Sequence, residues 1–357
     1  MGLRHPSEPG SGASLRAGTA RFVRAVRAHR LALFATTLVL CALCFQMIPG
    51  NTLASSVAQS AVLAAVAMIA VALGHRTALC LPAVGGAAHG CGTDAGSNAV
   101  GEWSENTCRS ARDARGGRDR ARWGGLGRWT VAVLAIGALA GATSWWAAGG
   151  AGAVGDAVSG GAGVAPGLTF RVAAVALLCL FTGVFEEGVF RVLALDAFAL
   201  AFGTGRRNGY DATVSGSIAF KSAGPWPRGM LKAAIASSAL FGILHVSAVD
   251  AAAAGSAVAW AQFALKPVQA GLFGFFMAAL FMRTGSLWTV AGVHGLFNLM
   301  YTGPVLVTSG LSSTYVTGSP ADLALLATTV LLLIPPALAA AHTFGSPREG
   351  SCGPPDS

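Results

Sequence analysis

Residues 168–198 read LTFRVAAVALLCLFTGVFEEGVFRVLALDAF, and this stretch decides the fold. No charged residue falls between Val172 and Phe185. The run then meets two adjacent carboxylates, Glu186 and Glu187, followed by Arg191. A run of this kind is a helix in lipid or a helix inside a large soluble core, and composition separates the two. Of 357 residues, 54% are hydrophobic and 11% charged, against about 25% charged in a typical soluble domain. A soluble fold of this length would need far more polar surface, so the solvent is lipid. In lipid a helix satisfies its own backbone, which makes it the default spanning element.

Outward from this stretch, apolar runs fall at 31–49, 52–73, 129–149, 168–187, 231–249, 257–282, 285–303 and 321–343. Most reach the length of about 20 residues that a span needs, and strand patterns are absent. The expectation is an all-α polytopic membrane bundle of about eight transmembrane helices. Its divisions are a basic cytoplasmic arm over 1–30, two transmembrane helices over 31–73 and a disordered basic cytoplasmic linker over 74–128. A membrane core over 129–344 and a short polar tail over 345–357 follow. The linker is rich in Gly, Arg and Ser with few large apolar residues, a composition that buries too little surface to fold. Residues 188–202 either continue the fourth span as an in-plane helix or form a further short span. Cys41 and Cys44 make a C-x-x-C inside an apolar run, a context of small core residues rather than of redox or zinc chemistry.

Charge sets the orientation. With eight spans and the N-terminus inside, 21 of the 24 basic residues fall on one side, leaving only Arg171, Arg191 and Lys266. The positive-inside rule then puts both termini in the cytoplasm. The net charge of +9 belongs to these loops, and no nucleic-acid partner is expected. Only three of the basic residues are Lys, the mark of a high-GC genome. The expected location is therefore a bacterial plasma membrane, or the endoplasmic reticulum in a eukaryote.

An ionisable side chain within a bilayer is costly and marks function. Most of the 15 acidic residues sit in loops or near span ends, but Glu186 and Glu187 do not. Among the seven His, His245 and His294 lie within apolar runs. Glu187 and Arg191 are four residues apart and share a helix face, so they can pair. Glu186 points about 100° away, toward a different space. His294 and Asn298 also project from one face. The set contains what hydrolysis needs: a carboxylate or imidazole to deprotonate water, a second imidazole to orient it, and a carboxamide to donate to an oxyanion. A carboxylate with two His, here Glu186, His245 and His294, is equally a zinc set. H-E-x-x-H is absent, and the spacing leaves a metal site and a metal-free one open.

Three motifs, E-E-x-x-x-R at Glu186–Arg191, F-x-x-x-H at Phe241–His245 and H-x-x-x-N at His294–Asn298, stand in this order in separate apolar runs. This pattern resembles the CPBP family of intramembrane proteases. That family includes type II CAAX prenyl endopeptidases and bacterial Abi-type, bacteriocin-processing and immunity proteins. The resemblance covers about 168–303 and includes Thr284-Gly285-Ser286-Leu287-Trp288. It implies an eight-span bundle with a cavity reached from the cytosol. Glu186 would activate water together with His245, Glu187 and Arg191 would position it, and His294 and Asn298 would support the oxyanion. The substrate would be a protein or peptide at the bilayer, lipidated or not. The family is labelled metallopeptidase, so a divalent metal such as zinc on Glu186, His245 and His294 stays open beside a glutamate mechanism without metal. A non-catalytic scaffold or bacteriocin-immunity protein of the same fold is the alternative. A transporter is disfavoured by the absence of internal repeats.

One tension follows from counting. Glu186 and His294 lie roughly 8–12 Å from the inner face, whereas His245 counts to about 20 Å from Lys232 at 1.5 Å per residue. Helix tilt or a start to that helix in the headgroup region closes this gap, or the boundary of the 231–249 run is wrong.

Overall fold

The computed structural model describes residues 29–48, 50, 52–79, 105–147, 149, 164–202, 228–246, 255–309 and 316–345. Among them every regular element is helical. The order is α1 (Arg30–Met47), α2 (Leu53–Gly74), a short 3-10 turn (Arg76–Leu79), α3 (Glu105–Ala147), α4 (Val164–Glu187), a π-helical turn (Gly188–Ala194) and α5 (Leu195–Ala201). Then come α6 (Arg228–Leu244), α7 (Ala257–Thr284), α8 (Leu287–Tyr301), α9 (Gly303–Ser309) and α10 (Pro320–Gly345).

The polytopic helical bundle is as expected, but the span lengths sort the runs. Among the described residues six helices are long and apolar enough to cross a membrane: Arg30–Met47, Leu53–Gly74, Leu126–Ala147, Gly167–Ala201, Ala257–Thr284 and Pro320–Phe344. The other two expected runs form shorter helices, α6 with 17 residues and α8 with 15. At 1.5 Å per residue these reach only about 25 and 22 Å, short of a hydrocarbon core of about 30 Å. The apolar run at 231–249 is therefore helical only to Leu244, and His245 lies just beyond the helix end. The opposite mismatch holds for Gly167–Ala201, whose 35 residues extend roughly 50 Å. The π turn interrupts that excess.

The expected linker at 74–128 is also reshaped at its end, because α3 begins at Glu105. Ala and Arg, frequent over 109–122, are strong helix formers, and the helix continues without a break into the apolar run. The rest of the linker over 80–104, most of the basic arm over 1–28 and the tail over 346–357 lie outside the described residues.

Local chemistry explains the ends. Thr52 caps α2: its hydroxyl accepts from the Ser55 backbone N–H at 3.1 Å, while the Thr52 N–H donates to Ser55 Oγ at 3.0 Å. This reciprocal box satisfies donors that a helix start leaves unpaired. Gln59 donates to the Ile48 carbonyl at 2.6 Å, closing the end of α1. Gly285 ends α7 at φ 64, a left-handed conformation that favours glycine, and two residues later α8 begins.

The bundle is organised around α4, which packs against α2 on one side and α8 on another, while α7 packs against α6 and α10. Backbone contact sets the α4–α8 crossing. A Cβ on Gly183 would stand 2.6 Å from the Ala291 carbonyl oxygen and 2.9 Å from the Gly295 nitrogen. Without a hydrophobic drive between helices in lipid, such small-residue contacts supply the association. Gly183 is one turn before Glu187 and Gly295 adjoins His294, so this crossing brings the two polar groups together.

A second buried polar cluster was not singled out by sequence. Asp196 in α5, 1% exposed, contacts Arg30 at the start of α1, and His75 Nε2 lies 3.2 Å from its Oδ2. It ties three helices at one point. Asp196→Ala removes the carboxylate that Arg30 and His75 contact, and the expected loss of stability is about 3 kcal/mol, read as a lowered melting temperature in detergent. An additional Arg30→Ala change then costs less than Arg30→Ala alone.

Candidate active site

The last turn of α4 carries Glu186 and Glu187, and the helix then widens. In the π turn the Leu195 N–H reaches back five residues to the Phe190 carbonyl. That carbonyl also accepts from Ser237 Oγ of α6 at 2.6 Å. π turns of this kind occur frequently at functional sites. All seven residues from Gly188 to Ala194 are buried, so this irregular backbone is shielded from lipid, as it must be within a membrane.

Glu187 is the centre of the arrangement. It and Arg191 are both 0% exposed, with Arg191 Nε donating to Glu187 Oε2 at 3.1 Å. The other Glu187 oxygen accepts from His294 Nδ1 at 2.7 Å. The Arg191 guanidinium also lies over the Phe241 ring at 4.7 Å, and Nη1 is 3.5 Å from Ser237 Oγ. Space for it is provided by Gly274 of α7: a Cβ there would stand 2.8 Å from Nη2 and 3.0 Å from Phe241 Cδ1.

His294 is wedged between carboxylates. Its Nε2 lies 3.2 Å from Glu186 Oε2, near enough for an ion pair but not aligned as a hydrogen bond. The ring is held edge-on by Phe273 at 4.9 Å and Phe241 at 6.0 Å. Because Nδ1 donates to Glu187, the second contact is favourable only with a proton in it, on the ring or on Glu186. With that proton on the ring, Glu186 is an ionised base.

His245 approaches from the opposite side. Its Nδ1 donates to the Phe241 carbonyl at 2.8 Å, since a carbonyl can only accept. In the neutral ring Nε2 is then a bare lone pair, and it faces Glu186 Oε1 at 3.7 Å. The depth gap expected from residue counting is absent here, since the two side chains meet. Exposure is graded across the cluster: the side chains of His245 and Glu186 are 26% and 14% exposed, that of Glu187 0%.

Five of the six expected residues thus meet. Asn298, one turn beyond His294, is half-buried, and its carboxamide joins none of the cluster's hydrogen bonds among the described residues. Ser237, Phe273 and Gly274 were not assigned from sequence; Phe241 was legible as the aromatic of F-x-x-x-H, but not as the ring that touches Arg191 and both imidazoles. Glu186 faces His245 with one oxygen and His294 with the other, and among the described residues no group of three or more His, Cys, Asp or Glu has the arrangement of a metal site.

Residues 168–300 match the family model of the type II CAAX prenyl endopeptidases, Rce1-like. The matched segment runs from α4 to the end of α8 and includes all six site residues. Comparison with curated proteins and with solved structures found no match.

Gly274→Ala forces the Arg191 guanidinium aside, with an expected cost of about 1–3 kcal/mol and a lowered melting temperature. Gly292→Ala in α8, where a Cβ meets nothing within 4 Å, leaves the melting temperature unchanged or slightly raised.

Proposed function

We propose that this chain, whose residues 168–300 match the Rce1-like family model of type II CAAX prenyl endopeptidases, is an intramembrane endopeptidase in which Glu186 activates water. The observation that carries this is the pair of acceptors facing each other at 3.7 Å, Glu186 Oε1 and His245 Nε2. Two acceptors have no favourable direct contact, and a water molecule with two O–H donors is the group that satisfies both.

Glu186 takes one proton from that water as the oxygen attacks the peptide carbonyl carbon. His245, fixed by the Phe241 carbonyl, orients the second O–H. The negative charge moves to the carbonyl oxygen, where His294 Nε2–H and the Asn298 carboxamide are the available donors. The C–N bond then breaks, and Glu186 returns its proton to the leaving nitrogen. Products are a new carboxylate and a new amine. Glu187 and Arg191 act through His294 and the π turn rather than on the substrate. The charge distribution along the sequence favours a cut near the cytoplasmic face, on a protein or peptide held at the bilayer.

The test uses full-length protein in liposomes and a farnesylated peptide ending in a CAAX sequence. Glu186→Gln and His245→Ala each lower the cleavage rate by about a hundredfold or more, with unchanged melting temperatures. Full activity in Glu186→Gln overturns the proposal. Treatment with 1,10-phenanthroline leaves the wild-type rate unaltered, whereas a loss that zinc restores assigns the role to metal instead.

A further inference from the structure

Resting on the endopeptidase reading, we propose that Ser237 is a positioning residue for the reaction. Its hydroxyl fixes the register of α6 against the π turn and so sets the separation of His245 from Glu186. Ser237 is 0% exposed and acts at a distance from the reacting groups. It stands eight residues before His245, roughly 12 Å along the axis.

A Ser or Thr within a helix ordinarily donates to a carbonyl one turn back in its own helix. Thr37, Thr130, Thr143 and Thr328 do so, each to the carbonyl four residues before it. Ser237 instead donates across to another element, to the Phe190 carbonyl at 2.6 Å. That carbonyl already accepts from the Leu195 N–H, so the hydroxyl is not needed to satisfy it. Ser237 Oγ also lies 3.5 Å from Arg191 Nη1. One hydroxyl thus joins two consecutive residues of the π turn, and through Arg191 it reaches Glu187 and His294.

The other contacts of α6 hold it close without fixing it lengthwise. One turn after Ser237, Phe241 meets Phe190 edge-on at 5.1 Å and carries the Arg191 guanidinium over its ring. On another side α6 presses on α7, where a Cβ on Gly242 would collide with the Pro267 carbonyl. Apolar contact is non-directional, whereas a hydrogen bond weakens steeply once it is bent or stretched. Ser237 therefore supplies the constraint along the axis. His245 inherits it, because the hydrogen bond from its Nδ1 to the Phe241 carbonyl ties the ring to the end of α6. A small slip of α6 would close or widen the 3.7 Å space between His245 and Glu186. A misplacement of about 1 Å can cost a reaction about a hundredfold.

The next residue provides a control. Ser238 is also buried, 3% exposed, and its Oγ has no hydrogen-bond partner among the described residues. The two serines share a helix and a depth, and they differ in the bond to the π turn.

The experiment uses full-length protein in liposomes and a farnesylated CAAX peptide. Ser237→Ala lowers kcat by roughly ten- to a hundredfold, with KM changed by less than about twofold. Ser238→Ala, the same truncation one residue along, leaves both unchanged. Ser237→Cys, close in shape and a weak donor, falls between the wild type and Ser237→Ala; it replaces Ser237→Ala in every comparison if the latter does not fold. In a His245→Ala background, Ser237→Ala costs no more than about a further twofold, because both changes act through the same group. A kcat within about twofold of the wild type, a loss carried by KM, an equal loss in Ser238→Ala or an additive loss in the double variant overturns the role of Ser237 while leaving the endopeptidase intact. A density map of Ser237→Ala needs no activity. The separation of Glu186 Oε1 from His245 Nε2 there departs from 3.7 Å, and an unchanged separation overturns the positioning. An altered separation in a protein whose wild type cleaves nothing supports the role of Ser237 in the register and rejects the endopeptidase.

Discussion

Everything at the site depends on one carboxylate that sees no solvent. Glu187 gives one oxygen to Arg191 and the other to His294. Removing any member would leave an uncompensated charge or donor inside a membrane protein, the most expensive kind of defect. The same carboxylate has two consequences. Through Arg191 it fixes the π turn, and through His294 it fixes the ring that contacts Glu186. Glu186, the proposed base, is therefore aimed by a fully buried neighbour. Adjacent residues on a helix point about 100° apart, which is why two consecutive Glu can serve two spaces, one dry and one reached by water.

That arrangement needs close helix approach, and the packing supplies it without large side chains. Gly183 and Gly295 let α4 and α8 touch at the backbone, and Gly274 leaves room for a guanidinium. The support extends beyond the segment matched to the family. Gly188, the first residue of the π turn, packs on Ala67 of α2, 3.2 Å from where its Cβ would stand. Farther along, Asp196 is tied to Arg30 and His75. Helices α1 and α2 thus hold the turn that follows Glu186 and Glu187, although their sequences carry no motif of their own.

The helical bundle and the residues of the site were legible in the sequence for a simple reason. In an apolar background ionisable groups are few, so Glu186, Glu187, Arg191, His245 and His294 stood out by their surroundings alone. What could not be read was the irregular geometry. Hydropathy cannot distinguish a helix that ends at Leu244 from one that runs to 249. It cannot see a π turn, because the residues of Gly188–Ala194 are as apolar as their neighbours. Nor could it find Asp196, which looks like a loop-proximal charge until the fold brings two distant basic groups onto it.

The central claim is that Glu186 and His245 face each other across a space held for water. An experimental density map of the wild-type protein, at a resolution that shows ordered waters, tests it most directly. The account predicts a water within hydrogen-bonding distance, about 2.6–3.2 Å, of both Glu186 Oε1 and His245 Nε2. A metal ion bound by Glu186, His245 and His294, or a direct hydrogen bond between Glu186 and His245 with no room between them, would contradict it.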